Sequence, residues 1–588
     1  MGEYSIPDKL SEAVKQATGK EIRITRAGTK EADYAFNAFA LQESKDCDIH
    51  AIMDEACKKI VAVLPPGITI SQKSTFLNFE ISNTLLARTA SNIAAEPSGG
   101  ITPGGKRIMV EYCSPNTNKP LHLGHARNIS IGLSLTAVLK FLGNEVVTAN
   151  VTNDKGVHIC KSMLAYRMFG DGRTPESEGI KGDHFVGHFY VQYEKALQEE
   201  LKSIIARLKN DPANAKCSDD ELKDLAKKES ALEDQVNEML KKWENGEPEI
   251  RALWQQMNAW VYEGFGETLK RLRVSFDANY FESDIYKMGA EIVQEGLRKG
   301  ILDMDKSGAI IADLEKLGIK KEGKKVLLRP NGTTVYMTQD LALAKLKAEQ
   351  HNLDRSMYVV ADEQNDHFKT LFGILHALGF TWAEPGNLVH ASYGMVNLPH
   401  GRMKSREGTV VDIDDLLDEL KKGAKEKGKD INDIRADIIG KAALQFYLLS
   451  AKAETSLKYN PEDSLNFEGK TGPYILYQYV RSGKLLKKSE EKEPDFSVLT
   501  DEIEHQLLMK LVEFSDMIRI LKRNPGSITV ADYVYDLAKT FSLFYEKCPV
   551  LNAESEELKI ARLCLTGYTH TLLGTCLDLL GIEKLESM

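Results

Sequence analysis

The sequence predicts a multidomain α/β protein. It has a Rossmann-type parallel-sheet domain at its centre, a small α+β N-terminal domain before it and an all-α C-terminal helix-bundle domain after it. Three observations predict this. First, RIMVEYC (107–113), GHARNISIGLSLTAVLKFLG (124–143) and EVVTANVTND (145–154) read in succession as strand, helix and strand, with a loop at the carboxyl end of the first strand. Second, the segment EPSGGITPGGK (96–106) is rich in Gly and Pro and separates this unit from everything before it. Third, from about residue 413 onward the apolar pattern is almost entirely helical.

The individual elements follow from their patterns. CDIHAIMDEACKKIVAVL (47–64) has helical periodicity and stops at Pro65-Pro66, and the alternating ITISQKSTFLNFEIS (68–82) is strand material. Residues 190–275 read as a helical insertion. Ser218 and Glu221 form a capping box, and Leu222, Leu225, Leu232, Val236, Met239, Leu240 and Trp243 recur at helical spacing among charges that suit a solvated face. VLLRPNGTTVYMTQ (326–339) carries an Asn331-Gly332 hairpin signal between two expected strands, and the helix DLALAKLKAEQ follows. MYVVADEQ (357–364) and LVHASYGMVNL (388–398) are two more expected buried strands.

Composition excludes several classes of protein. The 588 residues allow roughly three to five domains. No apolar run approaches the length of a bilayer span. MGEYSIPDKLSEAV has acidic residues and no apolar h-region, and Ile6 does not fit a myristoylation signal, so a cytoplasmic protein is expected. The eight cysteines (47, 57, 113, 160, 217, 548, 564 and 576) contain no C-x-x-C pair, which argues against a zinc ribbon or redox pair and for free thiols. A net charge of −10 excludes a general nucleic-acid coat but leaves room for local basic faces.

The chemistry concentrates in two short stretches. SPNTNKPLHLGHARN (114–128) packs Lys119, His122, Gly124 and His125 into a strand-to-helix turn. Metal binding by the two histidines has no third ligand nearby in the sequence. A capping role for His122 beside Gly124 is the plain structural alternative. A phosphate site explains more. A helix N-terminus offers free N–H groups and a positive dipole end, Gly124 permits close backbone approach, two imidazoles donate, and Lys119 adds a charge. The second stretch, GRMKSREGTVV (401–411), is a Gly-bounded loop with Arg402, Lys404 and Arg406. It is either an exposed basic turn or a clamp on a triphosphate.

These motifs, in this order, resemble the class I aminoacyl-tRNA synthetases. HLGH is similar to that class's HIGH signature and RMKSR to its KMSKS loop. EYCSPNTNKPLHLGHAR (111–127), TVYMTQDLALAK (334–345), NFEGKTGPYILYQYVR (466–481) and the C-terminal PVL…RLCLTGYTHTLLGTCLDLLGIEKLESM resemble the arginyl-tRNA synthetase family. In the KMSKS register Arg402 stands for the first Lys, Lys404 for the Ser, Ser405 for the second Lys and Arg406 for the last Ser. The resemblance therefore leaves open which cation meets the pyrophosphate. NVTNDKGVHICKSM (150–163) departs from the family's common Gly-Asp-Trp-Gly form, which leaves Asn153 and Asp154 without an assigned role.

The resemblance implies a two-step ligase. Arginine and ATP give arginyl-adenylate and pyrophosphate, and the arginyl group then passes to the 3′-terminal adenosine of tRNA(Arg), with bound tRNA needed for the first step. His122, His125, Lys119, Arg402 and Lys404 are the implied catalytic groups. Glu111, Ser114, Asn116, Tyr336, Asp340 and Gln364 are the implied arginine contacts. Pro115, Gly124, His125, His367, Met403 and Arg406 are the implied ATP contacts. Tyr474, Tyr477 and Arg481, with Lys484 and Lys488, are the implied tRNA contacts. ATP arrives with Mg²⁺ as a substrate, and no permanent cofactor, resident metal or membrane is implied. The implied division is 1–105 for a tRNA-contacting domain, 106–412 for the catalytic domain with its insertion at about 190–275, 413–460 for connecting helices and 461–588 for the anticodon-binding domain, in a monomer.

The residues alone leave alternatives. Glu111 interrupts an apolar strand and needs a partner, either a bound guanidinium or a structural Lys or Arg. Asp340 also fits a helix cap, His367 an ordinary helix-face histidine, and the tyrosines of YILYQYVRSGKLLKK a core. Three rival activities remain: a small-molecule adenylate-forming ligase, which needs no long helical C-terminal domain; a non-catalytic paralogue, which does not need His122, His125 and Asp340; and a synthetase for another amino acid, which Glu111 and Asp340 oppose.

Overall fold

The computed structural model describes residues 5–27, 32–42, 48–101, 103–214, 216–319, 323–397, 411–428, 431–487 and 493–587. The N-terminal part is an antiparallel sheet of Thr25–Arg26, Tyr34–Asn37, Phe76–Ile81 and Ile68–Lys73, in that spatial order, with helices Ile6–Thr18, Ile49–Val61 and Asn83–Ala95. The alternating 68–82 run folds into a hairpin, with Ile68 opposite Ile81.

The central sheet has five parallel strands: β1 (Arg107–Glu111), β2 (Glu145–Thr152), β3 (Ala278–Phe281), β4 (Arg355–Ala361) and β5 (Leu388–Tyr393). Their order is β5-β4-β1-β2-β3. The direction of winding reverses between β1 and β4, and in such sheets the crevice beyond the carboxyl ends of those two strands is where ligands bind. The helices that matter here are α1 (Leu123–Phe141), α2 (Gly182–Lys209), α3 (Pro248–Arg271), α4 (Tyr336–His351), α5 (Asn365–Ala377), α6 (Ile413–Lys427) and α7 (Gly472–Leu486). Beyond α7 the chain is helical through Glu556–Leu579, so the α/β, α+β and all-α division expected from the sequence is the one observed. Among the described residues, no helix is long and apolar enough to cross a membrane, and the seven cysteines are free.

Two elements differ from expectation. The Asn331-Gly332 turn forms, with the Gly332 amide donating to Arg329 O at 2.9 Å, but only Leu328 and Thr334 pair across it. The chain then enters α4 at Tyr336 instead of a second strand. Strand Lys324–Leu328 finds its partner upstream, in Ile310–Asp313. The segment TVYMTQ has β-favouring residues, but Met337, Thr338 and Leu341 are buried at helical spacing, and tertiary burial outweighs local preference. The helix that enters the charged segment also opens earlier than the charge pattern suggests. α2 opens at Gly182, and its first turns bury Phe185, Phe189, Tyr190 and Tyr193. The charged pattern marks where α2 leaves the core.

Arg127 on α1 ties the central sheet to two segments further along the chain. Its side chain is 0% exposed, and its guanidinium donates to the carbonyls of Gly394 (2.5 Å), Thr455 (2.8 Å), Ala453 (3.0 Å), Lys452 (3.3 Å) and Met395 (3.5 Å). A planar fork is needed to reach carbonyls on two separate segments at once. We expect Arg127→Met to cost about 3 kcal/mol, because it leaves buried carbonyls unpaired. Arg127→Lys should recover less than half of that, as read from denaturant midpoints; full recovery by Lys would contradict the need for a planar fork.

Candidate active site

The site forms where β1 ends. Cys113 and Ser114 have φ of 76° and 46°, a left-handed conformation that side chains rarely adopt. Three asparagines hold them there. The Cys113 amide donates to Asn128 Oδ1 (2.5 Å), the Ser114 amide donates to Asn150 Oδ1 (3.1 Å), and Asn153 bridges the backbone of Pro115 (2.9 Å) and Thr117 (3.1 Å). Pro115 is buried in this turn and Asn116 is exposed beside it. Ser114 Oγ is buried and bonded to nothing, a polar atom that suits a bound ligand.

α1 starts at the mouth of this crevice, and its first turn overturns one expectation. The amides are not free for a phosphate. Leu123 N donates to Val411 O (3.0 Å), Gly124 N to His122 Nδ1 (3.2 Å), and His125 N and Ala126 N to His122 O (2.7 and 3.1 Å). His122 is the N-cap, and His125 returns the bond, its Nδ1 accepting from His122 N at 3.1 Å. The two rings lie 3.9 Å apart. Because each Nδ1 accepts, each neutral ring must carry its proton on Nε2. Burial first and Lys119 after it push the His122 pKa down to about 3; burial first, then His122 and Lys119, also hold His125 well below its ordinary value. Both rings are therefore uncharged Nε2–H donors at neutral pH. With each Nδ1 committed to an amide and each Nε2 carrying the proton, neither ring offers a lone pair to a shared metal ion. A Cβ on Gly124 would come within 3.0 Å of the His122 ring, so this glycine makes room for the capping ring as much as for a ligand. Lys119, whose pKa burial lowers, and His122 line a cavity of about 200 Å³. Arg402, Met403, Lys404 and Arg406 lie outside the described residues.

The opposite wall is acidic. Glu111, at the end of β1, is ion-paired with Lys347 of α4, which is 1% exposed and lies 5.3 and 5.5 Å from the Tyr280 and Tyr358 ring centres. The structural partner left open by the sequence is thus present. Asp340 is no cap, since it sits in the second turn of α4. Its Oδ2 accepts from His367 Nε2 at 2.7 Å, which places His367 beside the carboxylate wall. Tyr336, on the same face one turn earlier, is 74% exposed, and Gln364, just beyond β4, is also exposed.

Two acidic residues here have no role assigned by the sequence. Glu282 follows β3 directly; burial first, with Asp154 and Asp340 nearby, raises its pKa to about 7 against the pull of Lys155. Its position after the strand-like run NYF is the only local signal for it. Asp154 is 1% exposed and accepts from Ser283 Oγ (2.7 Å), Ser283 N (2.8 Å) and Tyr262 OH (2.9 Å), so it anchors the start of the Glu282 segment.

Far from the crevice, α7 brings Tyr474, Tyr477, Arg481 and Lys484 to one face. The Arg481 guanidinium lies 4.4 Å from the ring centres of both Tyr477 and Tyr545, which are each 40% exposed, while Tyr474 is half-buried against Tyr535. Lys488 lies outside the described residues.

The sheet order and the HLGH turn at its switch point define a class I synthetase catalytic domain. Residues 96–445 match the family described as tRNA synthetases class I (R), catalytic domain, and residues 475–588 match the DALR anticodon binding domain. An arginine–tRNA ligase of Phocaeicola vulgatus is 42% identical over 536 residues, covering 87% of this chain and 86% of that protein. One from Treponema denticola is 42% identical, covering 82% and 80%. The fold is shared with the arginyl-tRNA synthetase of Thermus thermophilus, with a TM-score of 0.75 at 24% identity over 99% of this chain and 100% of that one. The chain belongs to the arginyl-tRNA synthetase family.

Glu282 gives a test by linkage. Its folded pKa of about 7 lies above the ordinary 4.5, so the folded state holds this proton more tightly than the unfolded chain does. The resulting stability is full below pH 4.5 and is lost as pH rises through 7. Glu282→Gln should match the wild type at pH 4.5 and exceed it by about 1–2 kcal/mol at pH 8 in denaturant unfolding. Equal stability at both pH values would remove the raised pKa.

Proposed function

We propose that the crevice holds arginine against the Asp340–Glu282 wall and ATP against the paired imidazoles, so that the arginine carboxylate and the α-phosphorus meet at the carboxyl end of β1. The protein is an arginine–tRNA ligase. It makes arginyl-adenylate from arginine and ATP, releases pyrophosphate, and passes the arginyl group to the terminal adenosine of tRNA(Arg), releasing AMP. The observation that carries this reading is the pairing of two neutral Nε2–H donors at the α1 N-terminus with an acidic wall beyond the same strand ends.

Each role follows from chemistry. A guanidinium is always charged and planar, so two carboxylates can grip it from different edges. Asp340, held by His367, and Glu282 supply those edges, and the exposed Tyr336 folds over the bound side chain. Glu111, balanced by Lys347, forms the floor of the pocket. Ser114, Asn116 and Gln364 take the α-amino and carboxylate end. A lysine ammonium lacks the second edge, and an uncharged side chain leaves the wall unpaired.

On the ATP side, Pro115, Gly124 and Met403 bracket the nucleotide. His122, His125 and Lys119, with Arg402, Lys404 and Arg406, stabilise the charge that builds on the phosphates during in-line attack. Mg²⁺ enters as part of the ATP substrate, held by phosphate oxygens. Residues 461–588 bind the anticodon arm. The Tyr477–Arg481–Tyr545 stack offers flat faces for unpaired bases, with Tyr474 behind it. Residues 1–105 touch the outer corner of the tRNA, 413–460 connect the two ends, and the protein acts as a cytoplasmic monomer.

Arginine-dependent exchange of pyrophosphate into ATP, run with and without tRNA(Arg), tests this. Exchange only with tRNA is expected. Exchange without it would remove the coupling of the first step to tRNA, and none with arginine in either case would remove the substrate assignment. Asp340→Asn should raise the KM for arginine about 10- to 100-fold, the loss of one charge-assisted pair. Binding a cation to Glu282 favours its ionised form, so the wild-type KM for arginine should fall as pH rises from 6 to 8. A pH-independent KM would remove Glu282 from the pocket.

A further inference from the structure

α2 belongs to the insertion, yet its first two turns reach the ATP side of the site. Gly187 packs so closely on Lys119–Pro120 that a Cβ there would come within 2.9 Å of Pro120 Cδ. One turn earlier, His184 Nε2 stands 3.1 Å from Asp412 Oδ2. Asp412 is 9% exposed, and its two oxygens do different things. Oδ1 caps α6, accepting from Asp414 N (2.7 Å) and Asp415 N (3.3 Å), so Oδ2 is not needed for the helix.

The backbone on either side of Asp412 is locked to the HLGH turn. Val411 O accepts from Leu123 N, and Ile413 N donates to Leu121 O, both at 3.0 Å, so that Asp412 pairs with His122. This short pairing lies directly C-terminal to GRMKSREGTV and consumes the first amide of α1. A divalent cation between His184, Asp412 and Asp414 is the obvious alternative use of this cluster. It is disfavoured, because Lys181 Nζ already lies 2.6 Å from Asp414 Oδ2 and Thr268 Oγ1 donates to the same oxygen at 2.8 Å.

We propose that His184 is a positioning residue for adenylate formation: held against Asp412, it fixes Val411–Ile413 to His122 and so sets the imidazole cap relative to the start of α6. His184 itself touches no reacting atom. Asp412 raises the pKa of His184, and His184, against the effect of burial, helps lower that of Asp412, so each partner favours the charged form of the other. The inference rests on His122 facing the ATP phosphates.

The test is arginine-dependent pyrophosphate exchange, with tRNA(Arg) present, in full-length His184→Gln, Asp412→Asn and the double variant. Asn keeps the α6 cap, so Asp412→Asn isolates the clasp should His184→Gln fold poorly. Each single variant is expected to lose about tenfold or more in kcat while the KM for arginine holds within about twofold, and the double variant should be no worse than the poorer single. Wild-type kcat in the singles, a loss carried mainly in the KM for arginine, or losses that multiply would each overturn the proposal. If His122→Asn leaves exchange intact, the reading of the ATP site fails first. Intact exchange in the His184 and Asp412 variants alone removes only the clasp.

Discussion

The reciprocal imidazole cap of α1 is the constraint on which the ATP side of this structure depends. A helix N-terminus normally meets an anion with its own amides. Here those amides are consumed, two of the bonds by ring nitrogens and one by Val411. The positive end of the helix is instead carried outward through the rings, from amide to Nδ1 and from Nε2–H to whatever binds beyond. Each ring is thereby fixed in one tautomer and one orientation before ATP arrives. Such preorganisation is what electrostatic stabilisation of a transition state requires. Burial and Lys119 complete the arrangement by keeping both rings neutral, so the Nε2–H donors they present do not depend on pH near 7.

The arginine side is governed by the opposite problem, an excess of carboxylate. Glu111, Asp154, Glu282 and Asp340 converge on the carboxyl ends of β1, β2 and β3 and the start of α4. The protein balances some and leaves others. Lys347 neutralises Glu111 within the core, Ser283 and Tyr262 solvate Asp154, and His367 orients Asp340. Glu282 is pushed toward its neutral form by burial first, and the two neighbouring carboxylates add to that shift against the pull of Lys155. A guanidinium relieves this kind of imbalance, which links the fold's local electrostatic cost to recognition of a cationic side chain.

Much of this is legible in the sequence, for identifiable reasons. The β1–α1–β2 unit, the linker before it and the helical end follow from periodicity, and Lys119, His122, Gly124 and His125 lie within one short stretch. Asp340 and Tyr336 fall on one face of α4, one turn apart, although the local pattern suggests a strand at Tyr336. The part that is not legible is long-range. No local pattern pairs Glu111 with Lys347, or Arg127 with carbonyls of residues 394–395 and 452–455. Glu282 escapes a sequence reading because its significance comes from Asp154 and Asp340, remote in sequence. The amides at the α1 N-terminus look free in the sequence because Val411, which accepts from the first of them, comes from the far side of the domain.

Nitrogen-15 resonance of the imidazole rings, with the 13 histidines labelled and His122 and His125 identified through His122→Asn and His125→Asn, tests the imidazole cap directly. Both rings are predicted to stay neutral, protonated on Nε2 alone, from pH 8 down to about 5, well above the His122 pKa of about 3. Rings that titrate near the ordinary 6.5, or that carry the proton on Nδ1, would contradict the cap, because neither could hold the start of α1 while presenting a fixed donor to the phosphates.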